Sequence, residues 1–131
     1  QQHLAELIRP ALARGAWVVS DRFTDASYAY QCGGRGIPVE RVAALEAWVQ
    51  RGFAPALTLL FDVPPEIAEA RRAAVRTADR FEREADSFFT RVRNAYLDRA
   101  RAEPARVRVL DARQSIAELQ AEIGALLEGL G

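Results

Sequence analysis

The sequence predicts an α/β fold in which a parallel sheet lies between two layers of helices, a three-layer αβα arrangement. Short apolar runs alternate along the chain with segments whose apolar residues recur every three or four positions. The run from Leu57 to Phe61 lies between prolines and is apolar almost throughout, as expected of a strand buried on both faces. An aspartate also follows each of three predicted strands. The strands cover 17–19, 57–61 and 107–110, and the aspartates are Asp21, Asp62 and Asp111.

The helices between these strands are predicted from apolar periodicity and from residues that begin or end helices. They cover about 4–14, 25–31, 38–49, 65–76 and 85–102, and a last helix begins after Ser115. The first should end at Gly15, and the glycines at 33, 34 and 36 should break the second. Ser115 with Glu118 three residues later predicts a capping box. We expect one domain over 1–131, without an internal repeat or a linker.

The composition restricts the classes of function. The formal net charge is zero, so electrostatics gives no argument for a nucleic-acid or membrane partner. No apolar run reaches about 18 residues, and Cys32 is the single cysteine, which fits a reducing cytoplasm. All eighteen basic side chains are arginines, so a phosphate loop of the form G-x-x-x-x-G-K-[ST] is not encoded here.

The segment after the first predicted strand has the richest chemistry, because ligands bind at the carboxyl ends of parallel strands. Arg22 can bind a phosphate with two hydrogen bonds, and Asp21 can orient it or hold a metal-bound water. Ser27 and Gln31 share one face of a helix and could read the edge of a base, with Tyr30 as an aromatic wall. Alternatively, the Asp-Arg pair is a local ion pair, the polar residues are ordinary surface positions, and the tyrosine packs.

The chain resembles the bacterial thymidylate kinases over essentially its whole length. The central signature of that family is similar to Asp21-Arg22-Phe23, Ser27, Ala29-Tyr30-Gln31 and Gly33-Gly34-Arg35-Gly36. Other family segments are similar to Ile8-Arg9-Pro10-Ala11-Leu12, to Leu57-Thr58-Leu59 with Phe61-Asp62-Val63, to Asp79-Arg80-Phe81-Glu82 with Arg93, and to Val109-Leu110-Asp111-Ala112. The resemblance implies the fold of the P-loop NTPases and nucleoside-monophosphate kinases.

The resemblance also implies an activity, the ATP-dependent phosphorylation of dTMP to dTDP with Mg²⁺ in a cytoplasmic homodimer. Arg22 would bind the phosphate of dTMP. Asp21 would lie near the metal and contact it through a water molecule, not as a direct ligand. Ser27 and Gln31 would hydrogen-bond the thymine edge, and Tyr30 would pack against the deoxyribose.

A lid over 71–84 would supply arginines to the ATP phosphates. The candidates are Arg72, Arg76 and Arg80, with Arg76 the first choice. Positive charge there suits phosphoryl transfer, which depends mainly on positioning and electrostatics. The turn at Asp111, Ala112 and Arg113 would lie near the adenine. The alternative for the lid is a solvated, arginine-rich helix end.

The chain also departs from the family pattern. Cys32 stands where the family usually has a third glycine, and Arg76-Thr77-Ala78-Asp79 lacks the usual Arg-Gly pair of the lid. The family's phosphate loop and first strand would precede Gln1. We therefore expect this chain to correspond to the C-terminal two-thirds of such a kinase, and to be inactive by itself.

Two other functions remain open at this point. One is a deoxynucleoside kinase of the same fold, which would act on the free nucleoside. The other is a non-catalytic module that binds a nucleotide or only dimerises. Leu45 and Trp48 on the helix after Pro38 would lie either at a dimer interface, as the resemblance implies, or in the core.

Overall fold

The computed structural model describes the backbone of residues 2–73 and 82–130, and the side chains of 2–71 and 87–130. The chain divides into two compact units, Gln1–Ala54 and Pro55–Gly131. The prediction of one domain over the whole chain stays a prediction. Of the helices described, none is both long enough and apolar enough to cross a membrane.

The first unit is helical. A π-helical turn, Leu4–Ile8, continues into α1, Arg9–Ala13. Helix α2, Thr24–Ser27, continues into a second π-helical segment, Tyr28–Gly34, and α3 covers Val39–Gln50. The three helices predicted for this part of the chain are therefore confirmed.

The prediction that glycines end the second helix was wrong for Gly33 and right for Gly34. Gly33 lies inside the π-helical segment, which ends at Gly34. The left-handed backbone comes only at Gly36, whose φ is +72°, a conformation that glycine adopts without steric cost. Gly15, with φ +77°, ends the first helix as predicted.

The predicted strand at 17–19 was wrong. Residues 16–20 form no regular structure, and Trp17 and Val19 are 69% and 95% exposed. A strand forms only when a neighbouring strand satisfies its backbone N–H and C=O groups. In the described residues that sheet pairing occurs only between two strands of the second unit.

The second unit contains that parallel pair. Its elements are β1 Thr58–Asp62, α4 Pro65–Ala73, α5 Glu82–Ala102, β2 Val107–Asp111 and α6 Ile116–Glu128. The two strands pair in parallel from Thr58 opposite Val107 to Asp62 opposite Asp111. The predicted parallel pairing of these two runs is therefore confirmed, and its register brings Asp62 and Asp111 side by side.

The core of the second unit lies between α5 and β2, which pack against each other. Val92, Ala100 and Val107 are buried there, and Leu110 is fully buried. We expected β1 to be buried on both faces, but Phe61 is 52% exposed. The expectation was wrong because β1 has a single neighbouring strand in the described residues, so the helices cover less of it than they cover in a wide sheet.

The N-terminus of α6 has the predicted capping box. The Ser115 hydroxyl accepts from the backbone N–H of Glu118 at 3.3 Å, and the Glu118 carboxylate accepts from the backbone N–H of Ser115 at 2.9 Å. The Ser115 hydroxyl also donates to the Glu118 carboxylate at 2.7 Å, and this bond lowers the pKa of Glu118 most, followed by the bond from the Ser115 backbone N–H. The cap satisfies backbone donors that a helix cannot satisfy within itself.

Candidate functional site

The segment before α2 makes a sharp bend at Asp21 and Arg22. Arg22 has φ +67°, in the left-handed region, which costs a residue other than glycine about 1–2 kcal/mol. The Ser20 hydroxyl donates to the backbone carbonyl of Arg22 at 3.0 Å and spans the bend. Residues held in such a conformation cluster at ligand-binding and catalytic sites. The bend therefore marks Arg22 as a candidate functional residue independently of its sequence context.

The guanidinium of Arg22 lies over the ring of Tyr30, with 5.1 Å from the guanidinium carbon to the ring centroid. That distance is within the range of a cation–π interaction. Within the described residues, no carboxylate forms a salt bridge with Arg22. Its N–H groups are therefore available to an anion, and a guanidinium can bind a phosphate with two parallel hydrogen bonds.

The π-helical segment that carries Tyr30 is anchored to α3. The Tyr28 hydroxyl donates to the Glu46 carboxylate at 2.6 Å, and Ala29 is fully buried. Tyr30 and Gln31 are only half-buried, so their side chains are partly accessible to a ligand. π-Helical segments are rare and occur often at functional sites.

The predicted pair that reads the base lies in two consecutive segments and not in one α-helix. Helix α2 ends at Ser27, and Gln31 lies in the π-helical segment that follows it. Ser27 is exposed, and the Gln31 amide oxygen accepts from the Arg35 guanidinium at 3.2 Å. The role of both residues in binding thymine stays a prediction.

Three polar contacts that sequence reasoning missed hold this part of the first unit together. Besides the bond between Tyr28 and Glu46, the Gln50 amide contacts the Thr24 hydroxyl, and the Gln50 carbonyl accepts from Arg9 at 3.2 Å. The guanidinium of Arg9 lies 5.3 Å from the ring centroid of Phe53. The partners are 18 to 41 residues apart, and such separations leave no local signal in the sequence.

Two further side chains in this region carry charge or a thiol. Asp25 is 4% exposed and lies in the first turn of α2, where the helix dipole favours a negative charge. Burial, and to a smaller extent the Glu40 carboxylate, raise the pKa of the Cys32 thiol. A raised pKa keeps the thiol protonated, and the protonated thiol is a weak nucleophile.

At the end of β1 the Asp62 carboxylate binds Arg93 of α5. The guanidinium donates to both carboxylate oxygens, at 2.7 and 2.8 Å, and the side chains are 19% and 32% exposed. Hydrogen bonding to Asp62 raises the pKa of Arg93. The resemblance drew attention to Arg93 but indicated no partner for it. The bidentate geometry is the strongest form of an arginine–carboxylate pair, and it fixes α5 on the end of β1.

At the end of β2 the polar groups of the predicted adenine-binding turn form hydrogen bonds with other groups of the chain. The Asp111 carboxylate accepts from the Arg113 guanidinium at 2.7 Å and from the Arg113 backbone N–H at 2.9 Å. The Ala112 N–H donates to the Asp62 carbonyl at 2.8 Å, and the Ala112 carbonyl accepts from Arg71 at 3.1 Å. Both backbone groups of Ala112 are thus already engaged, and contact of this turn with adenine stays a prediction.

The hydrogen bonds of this turn change the pKa of Asp111. Hydrogen bonds from the Arg113 side chain, and then from its backbone, lower the pKa of Asp111 to about 2. A lowered pKa means that the native state prefers the charged carboxylate, so the stability it contributes is present above about pH 4 and is lost as the pH falls toward 2.

Replacing Arg113 with alanine should therefore return the pKa of Asp111 toward its ordinary value of about 3.9, because the largest cause of the shift is removed. A carboxyl-carbon NMR titration of Asp111 measures this directly, with the exposed arginine Arg14 replaced by alanine as the control. An unchanged Asp111 pKa in Arg113→Ala would show that the side-chain pair does not form in solution.

The predicted lid falls mainly outside the described residues. Arg76 and Arg80 lie beyond them, and Arg72 is in α4 without a described side chain. A direct metal site was not predicted, and within the described part of the chain no group of three potential metal ligands occurs. Asp21 is exposed, and its contact with a metal through water stays a prediction.

The chain is similar to known proteins over most of its length. The sequence model of the family described as "Thymidylate kinase" matches residues 1–123, nearly the whole chain. The chain belongs to the thymidylate kinase family. The bend at Arg22, the segment with Tyr30 and Gln31, and the turn at Asp111 all lie inside the matched region.

Relatives in the thymidylate kinase family are close. The thymidylate kinase of Thiobacillus denitrificans is 78% identical over 130 residues, which cover 99% of this chain and 64% of that protein. That of Methylobacillus flagellatus is 62% identical over 123 residues, which cover 94% of this chain and 61% of that protein. The chain thus spans less than two-thirds of the length of these curated relatives.

A solved member of the family has the same fold. The crystal structure of the thymidylate kinase from Ehrlichia chaffeensis superimposes with a TM-score of 0.62 at 28% identity, covering 83% of this chain and 50% of that one. The similarity confirms the α/β architecture predicted from the sequence, helices with a parallel sheet in the manner of the αβα nucleotide kinases.

Proposed function

We propose that the protein carrying this chain is a phosphotransferase that uses ATP to convert dTMP to dTDP. The observation that carries the proposal is the family match over residues 1–123, together with relatives of 78% and 62% identity that are named thymidylate kinase. The chemistry of the first unit agrees with it, because the Arg22 guanidinium, without an acidic partner among the described residues, lies over the ring of the half-buried Tyr30.

In this proposal Arg22 binds the phosphate of dTMP and holds it for attack on the terminal phosphoryl group of ATP. Phosphoryl transfer requires little covalent participation by protein, so the contribution of Arg22 is position and charge. Tyr30 packs against the deoxyribose, and Ser27 and Gln31 bind the thymine edge. For Gln31 to do so, its amide oxygen must exchange the bond to Arg35 for one to the base, or its amide hydrogens must donate to the base.

The residues that we propose for ATP lie in the lid and in the second unit. Arg76, with Arg72 and Arg80, would bind the ATP phosphates, and Asp111, Ala112 and Arg113 would border the adenine. Bound Mg²⁺ would supply neutralisation of the phosphate charge, and Asp21 is the candidate residue to contact it through water.

The proposal includes a homodimer and a cytoplasmic location. Leu45 and Trp48 of α3 are 60% and 69% exposed, which favours the interface over the alternative that they pack in the core. Two large apolar side chains one helical turn apart suit an interface between copies.

The decisive assay measures nucleotide products from the complete protein with ATP, Mg²⁺ and one acceptor at a time. We expect dTDP from dTMP, and slow or no reaction with dGMP, dCMP or thymidine. Phosphorylation of thymidine in preference to dTMP would replace the proposal with a deoxynucleoside kinase. Absence of transfer to every acceptor, with dTMP still bound, would indicate a non-catalytic nucleotide-binding protein.

Replacing Gln31 with alanine should reduce selectivity for the base more than it reduces binding of the phosphate, because the amide reads the base edge. We expect the ratio of kcat/KM for dTMP over that for dCMP to fall about tenfold, the scale of one lost hydrogen bond of about 1.5 kcal/mol. The matched control is Gln120→Ala, an exposed glutamine of α6 outside the predicted site. Equal losses for both nucleotides would assign Gln31 a structural role.

A further inference from the structure

The contact between Arg22 and Tyr30 joins two fixed parts of the backbone. Tyr30 sits in the segment fixed to α3 by Tyr28 and Glu46, and its backbone carbonyl accepts from the Arg35 N–H at 3.2 Å. Arg22 lies at the bend before α2, where its backbone is in the left-handed region. Two separately fixed backbone segments thus bring the guanidinium over the ring.

The Tyr30 ring restricts the conformations that are open to the Arg22 side chain. An exposed arginine ordinarily loses much rotamer freedom when it binds a ligand, since long side chains have the largest entropy to lose. The planar guanidinium can stack on a ring face while its N–H edge still points outward. The ring therefore supplies a surface that restricts Arg22 without consuming its hydrogen-bond donors.

We infer that Tyr30 is a positioning residue for Arg22, holding the guanidinium over its ring face before dTMP binds and so strengthening recognition of the phosphate specifically. The inference rests on the proposed function and goes beyond it, because packing against the deoxyribose gives Tyr30 no influence on the phosphate. Positioning predicts that the benefit of Tyr30 depends on two partners, the guanidinium and the phosphate group of the ligand.

The test compares the affinities of the complete protein for dTMP and for thymidine, measured by calorimetry. Packing on the sugar contributes equally to both ligands, whereas positioning of Arg22 contributes only to dTMP. Tyr30→Leu should lower the preference for dTMP over thymidine about two- to fivefold, the scale of one cation–π contact at an accessible site. Tyr30→Phe keeps the ring and should keep the preference.

The double variant decides whether Tyr30 acts through Arg22. In an Arg22→Ala background, Tyr30→Leu should leave the preference for dTMP unchanged, because there is no guanidinium left to position. The same two- to fivefold loss in that background would overturn the inference, as would an equal loss of affinity for both ligands in the single Tyr30→Leu variant. Should Tyr30→Leu fail to fold, Tyr30→Met takes its place with the same expectations.

Failure of the proposed function would look different. A wild-type protein without preference for dTMP over thymidine, or an Arg22→Ala variant with an unchanged preference, would remove the phosphate role of Arg22 itself. In either case the phosphate role of Arg22 and the positioning role of Tyr30 fall together, and the product assay decides whether the protein still phosphorylates dTMP. When Arg22→Ala loses the preference but Tyr30→Leu does not, only the positioning role is wrong and the proposed function stands.

Discussion

Replacing Arg22 with alanine is expected to lower kcat/KM for dTMP about 10²–10³-fold, which corresponds to the loss of one well-placed charged contact in the transition state. The guanidinium carries its charge at the bend, and none of the described carboxylates neutralises it. Steady-state kinetics of the complete protein measures the effect. Arg14→Ala, an exposed arginine at the end of the first helix, is the control and should retain normal turnover.

Glycine at the same position separates the side chain from the backbone. Both Arg22→Ala and Arg22→Gly remove the guanidinium, but glycine adopts the φ of +67° without steric cost. We expect both variants to lose activity to the same extent, and Arg22→Gly to unfold at a temperature equal to or above that of Arg22→Ala. Near-normal turnover in either variant would contradict the phosphate role of Arg22.

The second large effect concerns stability. Replacing Arg93 with alanine should lower the free energy of unfolding by about 1.5–3 kcal/mol, the range for hydrogen bonds to charged groups. The variant leaves Asp62, only 19% exposed, without the guanidinium that binds both its oxygens. Removing one partner of such a pair costs more than the pair itself contributes. Urea denaturation followed by circular dichroism measures the difference.

A second ion pair on the same helix provides the matched control. Arg101 contacts Asp98, and both side chains are 71% exposed, so Arg101→Ala should leave the stability unchanged because solvent screens such pairs. Arg93→Lys keeps the charge but cannot bind both oxygens in the fork geometry, and its stability should lie between those of the wild-type protein and the Arg93→Ala variant. Equal stability of Arg93→Ala and Arg101→Ala would show that the Asp62 pair does not fix α5 on the strand.

Local patterns in the sequence determined much of the fold of the second unit. The runs ending at Asp62 and Asp111 were predicted as parallel strands, and the structure pairs them with these two residues opposite each other. Ser115 and Glu118 predicted a capping box, and both of its bonds form. These predictions succeeded because periodicity, chain-reversing residues and capping act over a few neighbouring positions.

The same local reasoning selected the residues of the candidate site. Arg22, Tyr30 and Gln31 were chosen from the sequence, and the structure brings the Arg22 guanidinium to the Tyr30 ring. Their binding roles remain predictions. The segment 71–84, with Arg76 and Arg80, was predicted as a lid and lies largely outside the described residues.

Only the tertiary structure decided the rest. The apolar run at 17–19 has strand-like composition, yet it forms no strand in the described part of the chain, since pairing depends on a partner that composition does not specify. Arg93 contacts Asp62 across 31 residues of sequence. The Arg22 guanidinium lies over the Tyr30 ring, and the Arg22 backbone is in the left-handed region. Residue types and spacing set which contacts are favourable. Which of these contacts form depends on long-range packing, because the folded chain adopts the arrangement in which most contacts are favourable together.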